Sequence, residues 1–413
     1  MYDVQENILA TPLTLPNGTV LANRLAKAAT SEHLADRRGA PTRQLAEAYR
    51  RLAHSGAGLL ISGNVMVDGS ALEAQRNVVI EDFRHLPELR RWAAATVGTD
   101  TKLLLQLSHP GRQSMRGLKL AGRQQDVVAP SAVPLDLGKW LFRRPRALSD
   151  VEVSTLVARF ATAAYVAAEA GFAGVQLHAA HGYLLNQFLS PLVNRRDDRW
   201  GGSPENRMRF LLEVVRAIRA GTPPDFILSV KLNSADFQRG GFAPEDALAV
   251  TKALEQEEVD FLEVSGGTYE SIAVVDGTPQ RASTLAREAY FHDFAEDFAR
   301  ELTIPLMLTG GFRSHAAMVD AVSSGSVDLV GLARPITHDP TFPHRLLTTP
   351  AAHSTAPTPK IGQKLLDDLL NSSWHQQQLS RLGRGARPRP SRRPTTALVI
   401  AALTTLHDAL FFS

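Results

Sequence analysis

The feature that most constrains this chain is a succession of eight short apolar runs, each followed by a turn signal and then by a longer stretch with helical patterning. In order they are RLAKAAT (24–30), GLLISGN (58–64), KLLLQLS (102–108), GVQLHAA (174–180), ILSVKLN (227–233), FLEVSGG (261–267), PLMLTGG (305–311) and DLVGLAR (328–334). Runs this short and this rich in Val, Ile and Leu suit strands buried on both faces. Between them, residues 42–55, 150–170, 204–220, 244–257, 289–301 and 314–324 carry helical spacing, and Ser203 before Pro204 and Glu205 is a good helix start. Eight such alternations predict an α/β fold, a (β/α)8 TIM barrel, because right-handed crossovers cover both faces of a parallel sheet. A doubly wound sheet is the competing architecture. It wants a Gly-x-Gly-x-x-Gly turn after its first strand, and SGAGLLISG has Ile61 where the third glycine should stand.

The barrel is expected over residues 1–348. TPLTLPNGTVLANRL, with Pro16-Asn17-Gly18 at its turn, reads as an N-terminal hairpin that plugs the barrel floor. Residues 111–147 form a long insertion after the third strand, placed to act as a lid. Residues 349–413 are expected to be a linker, a helical extension and a basic Pro/Arg-rich spacer, with 397–412 as a docking helix or a poorly ordered end, too short to span a bilayer. The first fifteen residues lack the basic start and apolar stretch of a signal peptide, so a cytoplasmic location is expected. Forty-five basic against 42 acidic side chains provide no strong field for nucleic acid. Cysteine is absent, which excludes disulfides, zinc–thiolate sites and a thiol nucleophile.

Barrel enzymes carry their reactive groups at the C-terminal ends of the strands, and here those ends are polar. They hold Thr30, Ser31 and Glu32; Ser62, Gly63 and Asn64; Gln106 to His109; His178, His181 and Tyr183; Lys231 and Asn233; Gly310 and Gly311; Ala333 and Arg334. Glycines after the seventh strand and an arginine after the eighth suit a phosphate, and Lys231 with Gln106 favours a phosphate-bearing cofactor with a polar ring system. The motif HAAH (178–181) admits three readings: metal ligands, core histidines with satisfied hydrogen bonds, or two N–H donors aimed at one substrate oxygen beside the Tyr183 hydroxyl. Lys231 in a barrel strand also admits a Schiff-base aldolase acting on a phosphorylated substrate.

The stretch HAAHGYLLNQFLSPLVNRRDDRWGGSPENRMRFLLEVVRAIR closely resembles the FMN-dependent Old Yellow Enzyme family, and LPNGTVLANRL, QLSHPGR, VKLNSADF, LEVSGG, TGGFRS and LVGLARP resemble its other segments in the expected order. The resemblance covers roughly residues 8–345. It implies that Ala29, Thr30, Ser31, Gly63 and Gln106 line the flavin ring, and that Lys231, where the family usually has arginine, stands beside its N1 and O2 region. It implies that Gly310, Gly311, Ala333 and Arg334 hold the ribityl phosphate. His178 and His181 then bind the substrate oxygen, Tyr183 supplies a proton, and His33 stands where some relatives present a tyrosine to the substrate. Ser31 takes a position of threonine or cysteine in the family, and Ala29 that of a frequent proline. The larger family members that reduce dienoyl-CoA or dehydrogenate trimethylamine need cysteines and extra nucleotide-binding domains. The resemblance therefore implies a single-barrel ene-reductase: NADH or NADPH as a transient hydride donor, an enone-type small molecule as acceptor. A homo-oligomer is compatible with it.

Overall fold

The computed structural model describes residues 7–118, 120, 122–135, 141–267, 291–358, 364–389, 396 and 399. Eight strands, β1 (Leu25–Lys27), β2 (Leu59–Met66), β3 (Lys102–Ser108), β4 (Gly174–Ala179), β5 (Ile227–Asn233), β6 (Phe261–Ser265), β7 (Leu306–Thr309) and β8 (Leu329–Leu332), each pair in parallel with their sequence neighbours. β8 returns to β1 through Leu332 opposite Lys27, closing the expected (β/α)8 barrel. Its first strand is shorter than the apolar run suggests. After Lys27 only Ala28 still bonds to β8, through Leu332 O at 3.1 Å, and the chain then leaves the ladder to cross the barrel mouth.

Around the strands lie α1 (Arg43–Ala53), α2 (Leu86–Ala93), α3 (Asp150–Ala170), α4 (Leu184–Leu189), α5 (Pro204–Gly221), α6 (Pro244–Gln256), α7 (His292–Ala299), α8 (His315–Ser323), α9 (Arg334–His338), α10 (Phe342–Thr348) and α11 (Lys364–Gly383). Their starts follow the sequence chemistry. Thr42, Ser203 and Ser314 each accept an N–H of the first turn, and Ser149 forms a reciprocal capping box with Glu152. Of the helix expected over 289–301, residues 289 and 290 lie outside the described residues. So does the stretch 397–412, Val399 aside.

Side-chain alternation sets the core. On β5, Leu228, Val230 and Leu232 face the helices, while Ile227, Ser229, Lys231 and Asn233 take the other face of the strand. The lowest interior layer is apolar: Ala26, Leu59, Ile61, Leu104, Ile227, Phe261, Met307 and Leu329 cluster with Leu13, Leu15 and Leu21 of the N-terminal hairpin. The hairpin thus plugs the floor, each leucine contributing about 1.5–3 kcal/mol by burial. Its turn is fixed by Gly18 at φ +83° and by Asn17, whose N–H donates to Asp260 Oδ1 at 3.2 Å. Beyond the barrel, α11 lies against α1, where Gln44 Nε2 donates to Ser380 O at 2.9 Å and Trp374, Leu379 and Leu382 are buried. Arg387 and Arg389 turn back along α11, through Arg381 Nε to Arg387 O at 3.0 Å and Arg389 N to Gln378 Oε1 at 2.8 Å.

Candidate active site

Polarity rises along the barrel axis from the floor to the mouth. One alternation step above the apolar layer, Gln106 Nε2 donates to Gln176 Oε1 (2.7 Å), Gln176 Nε2 to Glu263 Oε2 (2.9 Å) and Lys231 Nζ to Glu263 Oε1 (2.9 Å). All four side chains are buried. Lys231 is also one half of a buried ion pair, because β5 and β6 place it directly opposite Glu263. Gln176 and Glu263 escaped the sequence reading, although the period of two in GVQLH and FLEVS aims both inward with His178 and Ser265.

The next step up carries the histidines. His178 ends β4, and His181 reaches back toward it because its own backbone is left-handed (φ +58°), followed by Gly182 at φ +77°. A non-glycine residue tolerates that conformation only when held. The hold comes from Asn233, whose Oδ1 accepts the His181 N–H at 3.1 Å. Asn64 Nδ2 donates to the Tyr183 hydroxyl at 3.4 Å, which turns its Oδ1 to His178 Nδ1 at 2.9 Å. An amide oxygen can only accept, so His178 carries its proton on Nδ1. Its Nε2 then accepts from His181 Nδ1 at 3.1 Å, and His181 Nε2 accepts from Ser265 Oγ at 2.6 Å. The rings of His178 and Tyr183 lie 4.5 Å apart. Burial, then the neighbouring positive charge, holds His178 well below the usual imidazole range and pushes His181 down to about 3. Both are neutral at physiological pH. The metal reading of HAAH gains no third ligand from these contacts.

Ala29, Thr30 and Ser31 cross the mouth on top of β2, and Gly63 makes that approach feasible. A Cβ at Gly63 would meet Glu32 Oε2 at 2.4 Å, Thr30 O at 2.6 Å and Ser31 Cα at 2.7 Å. The Gly63 N–H donates to Glu32 Oε1 at 2.7 Å, and the buried Tyr49 hydroxyl donates to the same oxygen. Gly63→Ala is therefore expected to lift this segment, lose bound flavin, and destabilise the fold by about 1–3 kcal/mol. Flavin content per chain and urea unfolding would check it. His33 sits at the edge of the site with φ +52°, its Nε2 3.8 Å from Glu73 Oε2, so it is paired with a carboxylate that the sequence reading did not single out. Burial pushes the Glu73 carboxyl up, but the nearby His33 imidazole and the amides of Asn77, which donates at 3.3 Å, and Asn64 outweigh it and hold the group below its ordinary value.

Lys27 lies on the face of β1 opposite Ala26, fully buried over the Tyr49 ring, with Nζ donating to Ile61 O (2.9 Å) and Ala28 O (3.1 Å). Burial lowers it to about 8, against the pull of Glu32 and Glu263. Between pH 8 and 10.5 the unfolded chain binds this proton and the folded chain does not, so stability rises with pH across that window. Lys27→Met is expected to be more stable than wild type at pH 7, with the difference shrinking toward pH 10. Thermal unfolding of both chains across that range would test it.

At the far side of the mouth, β7 and β8 are neighbours, which brings Gly310 and Gly311, at φ +122° and +94°, next to Ala333 and Arg334. The residues fit a flavin mononucleotide on independent grounds. Thr30 Oγ1, three residues past β1, and Thr309 Oγ1, at the end of β7, are buried without a hydrogen-bond partner, and the mouth offers amide, imidazole and guanidinium donors to ring and phosphate oxygens.

Fold and site together define a class of protein, the (β/α)8 flavin oxidoreductase, here with two histidines bonded to each other at the barrel mouth. Residues 9–350 match the model of the NADH:flavin oxidoreductase / NADH oxidase family. The chain is 38% identical over 375 residues to the "NADH-dependent flavin oxidoreductase iliE" of Neonectria sp. (strain DH2), covering 86% of this chain but only 49% of that longer protein. It is 36% identical to the "NADH-dependent flavin oxidoreductase iccE" of Talaromyces variabilis, covering 85% of this chain and 89% of the relative. The solved structure of the Old Yellow Enzyme homologue from Zymomonas mobilis superposes with a TM-score of 0.70 at 26% identity, covering 84% of this chain and 94% of that one. The chain belongs to the NADH:flavin oxidoreductase / NADH oxidase family, that of Old Yellow Enzyme.

Proposed function

We propose that the protein uses FMN and NADH or NADPH to reduce the activated C=C bond of an α,β-unsaturated carbonyl compound. The observation that carries this reading is the meeting of two neutral imidazoles, His178 buried and His181 half-buried, and a buried phenol at one point of the barrel mouth. Bound FMN would supply hydride transfer from the nicotinamide to the substrate β-carbon. The chain's own residues do the rest. A carbonyl oxygen entering between the rings opens the His178–His181 bond and accepts the His181 Nδ1 proton as a hydrogen bond. His178 gives a second donor when its proton moves to Nε2 and the Asn64 amide turns to present Nδ2 to the vacated Nδ1. Two donors stabilise the charge that grows on this oxygen as hydride reaches Cβ. Tyr183 Oη then delivers the proton to Cα, and solvent restores it.

The Schiff-base alternative is weakened by the ion pair. Lys231 Nζ is held 2.9 Å from Glu263 Oε1 in that pair, rather than standing free to attack a carbonyl. The test is the absorbance of the flavin-loaded protein under anaerobic NADPH, followed by cyclohexenone. Bleaching followed by recovery supports the reading; bleached flavin that enones leave unchanged would overturn the substrate class while keeping the oxidoreductase.

A further inference from the structure

Two guanidinium groups converge on one neutral oxygen beside the β7 and β8 ends. Arg334 Nη1 donates to Thr358 Oγ1 at 3.4 Å, and Arg313 Nη2 donates to the same atom at 3.3 Å. Two guanidinium groups sharing one hydroxyl set several N–H donors around one point, the donor set that a phosphate accepts.

Thr358 does not come from the barrel. It ends an extended strap, residues 352–358, in which Ala352, Ser354 and Ala356 are buried. The strap is fixed to the segment that follows Gly310 and Gly311. The His315 N–H donates to Ala352 O at 2.9 Å, the Ser354 N–H to Arg313 O at 2.7 Å, and Arg313 Nη1 to Ala356 O at 2.9 Å. These three bonds, with those from Arg313 and Arg334 to its own hydroxyl, hold Thr358 in place.

The geometry points to a phosphate clamp in which Thr358, from the C-terminal strap, and Arg313 join Arg334 in holding the phosphate monoester of FMN. This rests on the reading that the flavin phosphate lies at the ends of β7 and β8. A dianion there accepts N–H bonds from both arginines and the O–H bond of Thr358. The strap is then part of the flavin site. By linkage, whatever the strap contributes to phosphate affinity the phosphate returns as strap order.

The test compares FMN with riboflavin, which has the same ring and no phosphate, by fluorescence titration of the deflavinated full-length chain. Thr358→Val removes the hydroxyl, keeps the shape and changes an exposed position, so folding is expected to be retained. The expected result is FMN binding weakened about tenfold with riboflavin binding unchanged, the usual effect of losing one hydrogen bond to a charged group. Arg334→Ala is run beside it. If Arg334→Ala lowers the FMN preference and Thr358→Val leaves it at the wild-type value, the strap has no part in the clamp and the proposal falls alone. If neither variant changes the preference, or the wild type shows none, the phosphate lies elsewhere and the underlying placement falls with it. Protection of the strap from limited proteolysis by FMN but not by riboflavin is the second expected result; equal protection by both ligands would contradict the coupling.

Discussion

His178→Ala is expected to lower kcat/KM for enone reduction by roughly 10²–10³-fold, the usual effect of removing one donor from a developing oxyanion, about 3–4 kcal/mol. The loss should fall mainly on kcat, since the bond strengthens as charge grows on the oxygen. Flavin content should stay at the wild-type level, because His178 bonds to Asn64 and His181 and neither lies at the ends of β7 and β8. Steady-state cyclohexenone reduction with NADPH, normalised to bound flavin, measures it, and an undiminished rate would remove the oxygen-binding role. A pH profile sharpens the result. Burial keeps His181 near 3 and His178 below its normal range, so the wild-type rate should show no imidazole inflection between pH 5 and 8. The same shifts make the fold acid-sensitive. Between about pH 3 and 6.5 the unfolded chain takes up the His181 proton that the folded chain refuses, so stability falls as pH is lowered through that window.

Glu263→Leu is expected to destabilise the protein by about 3–5 kcal/mol, the range for removing one partner of a buried ion pair. Glu263 is fully buried and receives bonds from Lys231 Nζ and Gln176 Nε2 on its two oxygens, so the substitution strands an ammonium and an amide together. Leucine refills most of the volume, which separates the electrostatic effect from a cavity. Replacing both partners, Lys231→Met with Glu263→Leu, should recover most of the loss, since an apolar pair of similar size is often as stable as the ions it replaces. Urea unfolding of the two single variants and the double variant gives the coupling directly. If the double variant is as unstable as the sum of the singles, the pair is not what holds this layer.

Much of the architecture was legible. The eight apolar runs announced the barrel, because burying both faces of a parallel strand demands a continuous apolar stretch that few other elements share. Ser203-Pro204-Glu205 and Ser149 marked helix starts through capping chemistry that is local to three or four residues. His178, His181 and Tyr183 stood out because polar rings at the end of a buried strand need partners, and Asn64 and Ser265 prove to be two of them.

The partners are where sequence reading stopped. Lys231 and Glu263 are 32 residues apart in the chain, yet face each other because adjacent parallel strands align them. Glu32 meets Gly63 and Tyr49, and His33 meets Glu73, only because the chain leaves β1 across the top of β2. Thr358 reaches Arg313 and Arg334 because the chain beyond α10 folds back over β7 and β8. The sequence by itself determined the strand and helix periods, the closed barrel and the reactive residue types at its mouth, since these follow from local burial and capping. Only the tertiary structure decided which charges neutralise one another, which histidine nitrogen holds the proton and which distant segment borders the ends of β7 and β8, since those depend on register and closure across the barrel.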